Sequence, residues 1–289
     1  MILFLSEGRL GNQLFQYAFL NTIIKDNEKI VAVNMNEFLE YFEIDNTNFY
    51  HLNVNSKTLT ILKKIFKPYF LGTLVKLKLI GYIKQERESL SPITSFIHKR
   101  GLLPVVLVET NYFQSEFFFD DGKIDLKFRD AIMKKANKFL SKIDSKYTKI
   151  FVHVRRGDYL FETFNGIRGI DLPKTYYIKA MKKISKGVSN PIFIFLSDDI
   201  SFVEHCFSDI ENKVISKNDK SIDLAIMSLC DYGIVSNSSF SWWGGYFMDK
   251  RVKVIFPKYW YGWKTNYESH PGIYPSWGSV LDFQENKDD

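Results

Sequence analysis

The stretch YTKIFVHVRRGDY (residues 147–159) leads from an apolar run into two adjacent arginines, and YGIVSNSSFSWWGG (residues 232–245) leads from a second apolar run into a cluster of hydroxyls. The apolar runs predict strands at Tyr147–Val154 and Tyr232–Ser236, and the hydroxyl cluster opens into a predicted helix. Arginine offers a planar fork of N–H groups that matches phosphate oxygens, and a helix N-terminus offers backbone N–H groups and a positive dipole end. Side by side on a parallel sheet, the two segments predict a diphosphate site.

Ordinary structural roles could explain either segment alone. Asp158 could neutralise Arg155 or Arg156 in a surface salt bridge, and Ser and Asn are preferred at helix N-caps. The salt bridge leaves the second segment unexplained. A cap needs one Ser or Asn, whereas five of the six residues Ser236–Ser241 are of these types. We therefore favour the diphosphate site.

The second half of the chain alternates short apolar strands with amphipathic helices. Further strands are predicted at Pro191–Leu196, Lys213–Ser216 and Val252–Phe256, and helices at Lys174–Lys186, Ile200–Phe207, Ser221–Cys230 and Phe240–Asp249. This alternation predicts βαβ units and a parallel sheet covered on both faces. In such sheets ligands bind beyond the carboxyl ends of the strands, where both opening segments fall.

The first half has a weaker pattern. We predict strands at Ile2–Ser6, Ile30–Asn34 and Val105–Glu109, a glycine turn at Gly8–Gln13, helices at Leu14–Asn27 and Asp125–Asp144, and mostly helix between Glu37 and Gly101. The chain is thus expected to form two α/β domains, an N-terminal one over residues 1–145 and a nucleotide-binding one over residues 146–289. A chain of 289 residues is long enough for two such cores.

Composition narrows the functional class. The net charge of +6 suggests an anionic partner, but basic residues are spread too widely for a dedicated nucleic-acid face. No apolar stretch reaches about 18 residues, so no membrane span is expected, and the first residues predict a strand and not a signal peptide. Cys206 and Cys230 form neither a disulfide framework nor a zinc pattern, and the sequon at Asn237 falls inside the predicted site. These features favour the cytosol.

The segment Ile61–Lys84 is apolar and basic and contains no acidic residue. It could form peripheral contact with an anionic membrane surface, at the inner face of the membrane. The alternative, which we favour, is a pair of domain helices with solvated lysines, because Pro68 and Gly72 interrupt any single long amphipathic helix.

Motifs for cofactors are weak or absent from the sequence. The Gly8–Gly11 turn lacks the third glycine of a dinucleotide fingerprint, and no acidic residue ends the following strand to hold a ribose. No GxxxxGK[ST] or HExxH motif occurs. Asp198-Asp199 could hold a divalent ion, but a helix N-cap is the favoured interpretation. We expect neither a metal nor a cofactor.

Four segments together resemble the α-1,2-fucosyltransferases, glycosyltransferase family 11. They are GRLGNQLFQYA (8–18), NYFQSE (111–116), HVRRGDY (153–159) and DLAIMSLCDYGIVSNSSFSWWGG (223–245). The resemblance implies a GT-B-like α/β fold, with two Rossmann-like domains facing across a cleft. It also implies inverting, metal-independent transfer of L-fucose from GDP-L-fucose to the 2-hydroxyl of a galactoside, in O-antigen or capsule biosynthesis.

The resemblance also implies roles for individual residues. Arg155 would grip the β-phosphate of GDP and stabilise the charge that develops as the diphosphate leaves. His153 would lie near guanine or ribose, and Asp223 would accept hydrogen bonds from guanine. Ser238, Ser239 and Phe240 would form the phosphate cradle. Arg156 would also belong to the donor site, Asp158 would support one of the two arginines, and Asn12 would face the site across the cleft.

The general base for the acceptor hydroxyl is Glu162 in our first interpretation and Asp171 in the second. Glu162 is interpreted equally well as a solvated loop residue without a catalytic role. A reaction with a good leaving group can also proceed without a strong base. The segment Tyr112–Glu116 is a candidate for acceptor contacts.

Two alternatives to this function remain open. The same scaffold could use another GDP-sugar, such as GDP-L-galactose or GDP-colitose. A non-catalytic module that binds glycans or nucleotides could use Trp242, Trp243, Trp260 and Trp263 as a sugar platform, although packing of Trp242 and Trp243 against the sheet is the favoured reading.

Overall fold

A computed structural model describes residues 1–86, 95–268 and 270–284. The chain divides into two compact units, Met1–Lys127 (unit 1) and Phe128–Asp289 (unit 2). Each unit is built on a six-stranded sheet that is wholly or mostly parallel. The α/β class and the two Rossmann-like units that the sequence predicts are confirmed.

Unit 1 begins with a strand and a helix joined at Gly8. The strands of unit 1 are β1 (Ile2–Leu5), β2 (Ile30–Val33), β3 (Phe42–Glu43), β4 (Phe49–Leu52), β5 (Gly81–Glu86), β6 (Ser95–Lys99) and β7 (Val106–Val108), with β8 (Lys127–Phe128) at the unit boundary. Its helices are α1 (Leu10–Ile23), α2 (Asn36–Tyr41), α3 (Ser56–Ile61), a π-helix (Leu62–Leu71) and α4 (Gly72–Lys76), with short 3-10 turns at Glu116–Phe118 and Asp121–Lys123.

The unit 1 sheet has the order β4-β2-β1-β7-β5-β6, and only β6 runs antiparallel to its neighbour. Helix α1 is buried along most of its surface, and Phe19 stacks on Phe113 with ring centroids 4.0 Å apart. Gly8 has a φ of +87°, where only glycine is unstrained, and a Cβ there would lie 2.4 Å from Nδ2 of Asn12. This tight turn lets α1 begin at Leu10, earlier than the predicted Leu14.

The prediction of mostly helix between Glu37 and Gly101 is wrong for β4, β5 and β6. Strand β5 buries alternate residues, β4 buries one residue and β6 buries none, so none of the three has a continuous apolar pattern. Pro68 and Gly72 also fail to divide the helical segment, which runs from Ser56 to Lys76. A π-helix accommodates Pro68, because its wider turn moves the carbonyl that would otherwise clash with the ring.

Unit 2 follows the predicted alternation closely. Its strands are β9 (Thr148–Val154), β10 (Thr163–Phe164), β11 (Ile167–Arg168), β12 (Pro191–Ser197), β13 (Lys213–Ile215), β14 (Tyr232–Ile234), β15 (Lys253–Pro257) and β16 (Gly278–Leu281). Its helices are α5 (Asp130–Leu140), α6 (Lys174–Ser185), α7 (Ile200–Cys206), α8 (Lys220–Ser228) and α9 (Ser239–Tyr246), with 3-10 turns at Gly157–Leu160, Trp263–Thr265 and Pro271–Ile273.

The large sheet of unit 2 has the order β13-β12-β9-β14-β15-β16, and all its neighbouring strands are parallel. Numbered within the sheet, this is the 3-2-1-4-5-6 order of the Rossmann fold. Strand β16 forms the edge of the sheet beyond β15. The sequence pattern predicted β15 as the final strand of the chain. Helix α5 packs on α8 and belongs to unit 2, so the boundary lies at residues 127–128 and not at 145–146.

Within the described ranges, no helix is long and apolar enough to cross a membrane.

Candidate functional site

The candidate site lies at the point where the unit 2 sheet reverses its strand order. Strand β9 is central, and β12 and β14 lie on either side of it. From the carboxyl end of β9 the chain passes to β12 on one side, and from the carboxyl end of β14 it passes to β15 on the other side. At such a reversal point a crevice forms beyond the carboxyl ends of the two strands. His153 near the end of β9 and Ser236 just after β14 are joined by a hydrogen bond of 2.8 Å between Nδ1 and Oγ. The arginine segment and the serine-rich segment therefore do lie together.

Arg155 follows β9 directly, and its guanidinium is held by two carboxylates. Nη2 donates to Oδ1 of Asp158, and Nη1 donates to Oδ2 of Asp198 at 2.6 Å. The guanidinium also lies over the ring of Tyr159, 5.2 Å from its centroid. The Arg155 side chain is 18% exposed, so its charge is fixed in direction and still reaches the surface of the crevice.

Arg156 points to a different set of partners. Nε donates to Asp199 at 3.2 Å and Nη1 donates to Asp171 at 3.0 Å. The guanidinium stacks on Phe202, 3.7 Å from the ring centroid. These contacts anchor Arg156 to α7 and to the segment before α6, which makes it a brace for the loop after β9.

Asp198 and Asp199 support the arginine pair, a role that the sequence pattern did not predict. Asp198 accepts from Arg155 and also from the backbone N–H of Arg156 at 2.9 Å. Asp199 caps α7, because its Oδ1 accepts from the N–H of Phe202 at 3.0 Å, as the N-cap interpretation predicted. Acidic residues at the end of a strand that neighbours β9 were the available signal. Over the described part of the chain, no group of three or more His, Cys, Asp or Glu could hold a metal ion.

The serine-rich segment divides into buried and helix-terminal hydroxyls. Ser236 and Ser241 are fully buried, and Ser241 Oγ donates to the carbonyl of Ser238 at 3.2 Å. Ser238 is the N-cap residue of α9, and Ser239 is its first helical residue. The first turn of α9 begins at Ser239 and includes Phe240. In any helix the N–H groups of the first turn have no acceptor within the helix and carry the positive end of its dipole.

The loop after β9 is tied to this helix start. Asn237 donates from Nδ2 to the carbonyl of Ile170 at 2.7 Å, and its own carbonyl accepts from the hydroxyl of Tyr159 at 3.1 Å. Asn237 is completely buried. The arginine loop and the serine segment are thus held together by three hydrogen bonds, counting that of His153.

The tryptophans of α9 belong to the core. Trp242 and Trp243 are both 0% exposed, and Trp242 donates from Nε1 to the carbonyl of Ile273 at 2.7 Å. Trp260 is also fully buried. These three rings cannot form a sugar platform, which agrees with the packing interpretation and removes most of the aromatic surface that a binding module would need.

His153 is neutral in the folded protein. Burial, together with the nearby charge of Arg155, lowers the pKa of His153 to about 3. Its ring lies 5.4 Å from that of Phe240, centroid to centroid. The imidazole therefore acts here as a hydrogen-bonding link between β9 and the α9 segment and not as a cation.

Asp223 lies at the same edge of the sheet, beyond β13. Its Oδ1 accepts from the hydroxyl of Ser216 at 2.5 Å, and Asn218 donates to that same hydroxyl at 2.9 Å. Burial raises the pKa of Asp223 to about 7. Ser216 directly follows β13, so its hydrogen bond to Asp223 places Asp223 on the β13 side of the sheet. Strand β13 is two strands from β9, a separation of about 10 Å at the usual strand spacing.

The two candidate bases differ in their surroundings. Glu162 is exposed at the base of the β10–β11 hairpin, where its carbonyl accepts from the N–H of Gly169 at 2.8 Å. Asp171 is 17% exposed and is engaged by Arg156. In unit 1, Asn12 accepts through Oδ1 from Nε2 of Gln114 at 2.7 Å, which links the glycine turn to the predicted segment Tyr112–Glu116.

Comparison of the sequence with known proteins identifies the family of this chain. The model of the family described as "Glycosyl transferase family 11" matches residues 1–270. The chain belongs to glycosyltransferase family 11. A family 11 chain is a sugar-transferring enzyme, so the crevice in unit 2 is a candidate active site.

Two Escherichia coli relatives match nearly the whole chain. The O-antigen biosynthesis glycosyltransferase WbnK is 26% identical, with 88% of this chain and 93% of the relative covered. The alpha-1,2-colitosyltransferase is also 26% identical, with coverage of 88% and 90%. The galactoside alpha-(1,2)-fucosyltransferase 2 of Pongo pygmaeus is 24% identical over a shorter region, 42% of this chain and 38% of that enzyme.

Solved structures share the fold at low identity. The fucosyltransferase NodZ from Bradyrhizobium aligns with a TM-score of 0.52 at 13% identity, over 86% of this chain and 92% of its own. A glycosyl transferase family 9 protein from Veillonella parvula aligns with a TM-score of 0.54 at 11% identity, over 99% and 88%. These similarities support the GT-B-like fold class.

Proposed function

We propose that this family 11 enzyme transfers L-fucose from GDP-L-fucose to the 2-hydroxyl of a galactoside, with inversion and without a metal ion, in the synthesis of a surface glycan. The observation that carries the proposal is the junction of the arginine segment with the serine-rich segment before α9, made by the hydrogen bond of His153 to Ser236 at the reversal point of the unit 2 sheet. The linkage is supported by the α-1,2-specific names of several relatives, and the glycan class by the O-antigen relative.

In this proposal Arg155 and the first turn of α9 bind the donor diphosphate, and Ser238 and Ser239 complete the cradle. When the bond between the sugar and the diphosphate breaks, negative charge collects on the β-phosphate of the leaving GDP. Arg155 is already held in place, so little reorganisation accompanies charge development. A fixed guanidinium beside a helix N-terminus supplies positive charge at the position where other transferases use a cation.

Donor phosphate must compete with the carboxylates that hold Arg155. Asp158 is 39% exposed and Asp198 is 27% exposed, so Asp158 is the easier contact to release. We propose that phosphate replaces Asp158 at the guanidinium while Asp198 keeps Arg155 aligned.

Asp223 is the proposed guanine contact. Guanine presents two adjacent donors, N1–H and N2–H₂, whereas adenine and uracil do not present this pair, and an ionised carboxylate can accept from both. Asp223 is bonded to Ser216, which directly follows β13, and β13 lies two strands, about 10 Å, from β9. This placement supports a nucleotide that extends from the arginine loop toward β13.

Glu162 is the proposed general base. Its carboxylate is exposed in the loop that follows the arginines, whereas Asp171 is already paired with Arg156. A base near the acceptor hydroxyl would accept its proton as that oxygen attacks the anomeric carbon.

GDP-colitose is the second candidate donor, and a full-length colitosyltransferase relative favours it. Colitose differs from fucose by lacking the 3-hydroxyl. A site that hydrogen-bonds this hydroxyl would reject colitose strongly, whereas a site that leaves it in solvent would accept both sugars. The ratio of kcat/KM for the two donors, measured with one galactoside acceptor, separates these cases.

We also propose a reducing, cytosolic location. Both cysteines are free thiols, and Asn237 of the sequon is completely buried and bonded within the site. A glycan at this position would disrupt the segment that the proposed chemistry requires.

Calorimetric titration with GDP, UDP and ADP, without divalent metal, tests the nucleotide site first. We expect selective binding of GDP that weakens about 10- to 100-fold in Arg155→Ala, because charge-assisted hydrogen bonds are lost. Arg100→Ala, an exposed arginine of unit 1, is the matched control and should bind as wild type. Absence of GDP binding, or equal affinity in Arg155→Ala, contradicts the proposed donor class.

A further inference from the structure

The outer side of the helical segment Ser56–Lys76 exposes a group of large apolar side chains. We call this group the apolar face; it comprises Ile61 (54% exposed), Ile65 (57%), Phe66 (40%), Tyr69 (73%) and Phe70 (53%). The rings of Phe66 and Phe70 stack on each other, with centroids 4.9 Å apart. Large exposed apolar groups gathered on one face indicate contact with another surface.

The opposite side of the segment is anchored in unit 1, so the apolar face cannot turn inward. Leu71 is 5% exposed and packs with Ile80 and Leu107. Lys63 pairs with Glu7 at 2.9 Å, and Lys67 donates to the hydroxyl of Thr110 at 2.6 Å. These contacts engage the two lysines on the inward side of the segment and hold the apolar face outward.

The turn that follows α4 adds further exposed apolar groups. Leu77 is 64% exposed, and Leu102 and Leu103 are 81% and 50% exposed. Backbone hydrogen bonds of 2.9 and 2.8 Å tie Leu102 and Leu103 to the carbonyls of Lys78 and Leu79. The exposed leucines of the two loops are therefore neighbours.

Charge decides what this face can bind. Residues 56–84 contain seven lysines and no Asp or Glu. The outward lysines Lys57, Lys64, Lys76 and Lys78 are exposed. A second copy of the chain would bring like charges together, whereas an anionic lipid surface offers negative charge and an apolar interior to the same face.

We propose that the apolar face docks unit 1 onto an anionic lipid bilayer. The aromatic and aliphatic side chains enter the boundary between headgroups and acyl chains, and the surrounding lysines contact lipid phosphates. This surface shares no residue with the proposed nucleotide site and does not depend on which sugar is transferred.

Vesicle flotation tests the proposal with the full-length protein. We expect the protein to bind vesicles of phosphatidylcholine that contain about one-third phosphatidylglycerol, and to bind vesicles of phosphatidylcholine alone only weakly. Salt at about 0.5 M, roughly three times the physiological ionic strength, should weaken the binding to anionic vesicles. Phe66→Ser/Phe70→Ser and Lys64→Glu/Lys76→Glu should each lower the partition coefficient at least about tenfold. Far-UV circular dichroism and GDP affinity should stay unchanged, which separates this test from that of the nucleotide site.

Matched controls change similar residues elsewhere. Tyr50→Ser/Leu52→Ser removes exposed apolar groups from β4, and Lys182→Glu/Lys183→Glu reverses exposed charges on α6. Both should bind vesicles as wild type. The proposal is overturned if wild type ignores anionic vesicles, binds neutral ones equally well, or loses binding equally in the controls. A stable dimer that is abolished by Phe66→Ser/Phe70→Ser would also overturn it.

Discussion

At the scale of single residues, the two carboxylates that contact Arg155 have different roles in the proposed reaction. Asp158 and Asp198 contact different nitrogens of the same guanidinium, and Asp198 also accepts from the backbone of the next residue. A Cβ at Gly157 would lie 2.5 Å from Oδ2 of Asp198, so the loop backbone is packed directly on this carboxylate. Asp198 is therefore a positioning residue in the proposed reaction.

Asp198→Asn should lower kcat by about 10- to 100-fold while KM for the donor changes only a few-fold, because Arg155 loses alignment but keeps its charge. Asp158→Asn should have a smaller effect on kcat, since phosphate is proposed to displace this carboxylate. Steady-state kinetics with GDP-fucose measure both. Asp209→Asn, an exposed aspartate of the same unit, is the control. Equal kcat losses in both site variants would contradict the proposed division of roles.

Asp223 should have opposite effects on stability and on binding. Its folded pKa of about 7 lies above the unfolded value, so the fold prefers the neutral acid. Its stabilising contribution is present below about pH 4 and is lost as pH rises toward 7. Asp223→Asn should therefore be more stable than wild type at pH 8, by on the order of a few kcal/mol, and similar to it at pH 4.

The same Asp223→Asn variant should bind GDP less tightly at pH 8, because the amide cannot accept from both guanine donors. Denaturant unfolding at the two pH values and calorimetry at pH 8 provide the measurements. A variant that gains stability and keeps full GDP affinity would remove Asp223 from the proposed donor site.

At the scale of elements, the closeness of β9 and β14 depends on one missing side chain. Gly233 of β14 is in register with Phe151 of β9, and a Cβ on Gly233 would lie 2.5 Å from the Phe151 ring. The ring is fully buried, so it has little room to move. These two strands carry the arginine and serine segments, so their spacing sets the geometry of the site.

Gly233→Ala should destabilise the protein by about 1–3 kcal/mol through overpacking and should weaken GDP binding as well. Phe151→Leu introduced into that variant should recover part of both losses, because the clash is relieved. Chemical denaturation of the single and double variants measures the coupling. Additive effects would show that the two side chains do not compete for the same space.

The sequence predicted strands correctly where their side chains are buried on both faces of the sheet. The parallel strands β9 and β12 have continuous apolar sequences, and the structure places them within one residue of the prediction. Strands β5 and β6 bury alternate residues at most, and β16 has only intermediate burial and exposure, so their sequences carry little apolar signal.

At the scale of the whole molecule, the unit boundary is a matter of packing. Helix α5 lies before the boundary that the sequence predicts, but its buried Ala136 and Leu140 belong to a helix that packs on α8. Unit 2 therefore begins at Phe128.

A fragment of residues 128–289 should unfold cooperatively, whereas residues 146–289 should not, because the shorter fragment exposes the apolar surface that α5 covers. Thermal unfolding followed by circular dichroism compares the two. Equal cooperativity in both fragments would show that α5 is dispensable and would favour the later boundary.

The sequence by itself determined the α/β class, the alternation of unit 2, and the two segments that meet at the crevice. These features are local, since an apolar run, a cap residue and an arginine pair each express their preference over a few neighbouring positions. The family motifs are equally local, which is why the amino-acid sequence alone displays the resemblance.

Only the tertiary structure decided the partners of these residues. It placed Asp198 and Asp199 beside the arginines, because β12 and β9 are neighbours although 40 or more residues separate the carboxylates from Arg155 and Arg156. It likewise set the depth that raises the pKa of Asp223, and it turned the apolar face of Ser56–Lys76 outward. Burial, ion pairing and exposure depend on contacts between distant parts of the chain, and no single segment encodes them.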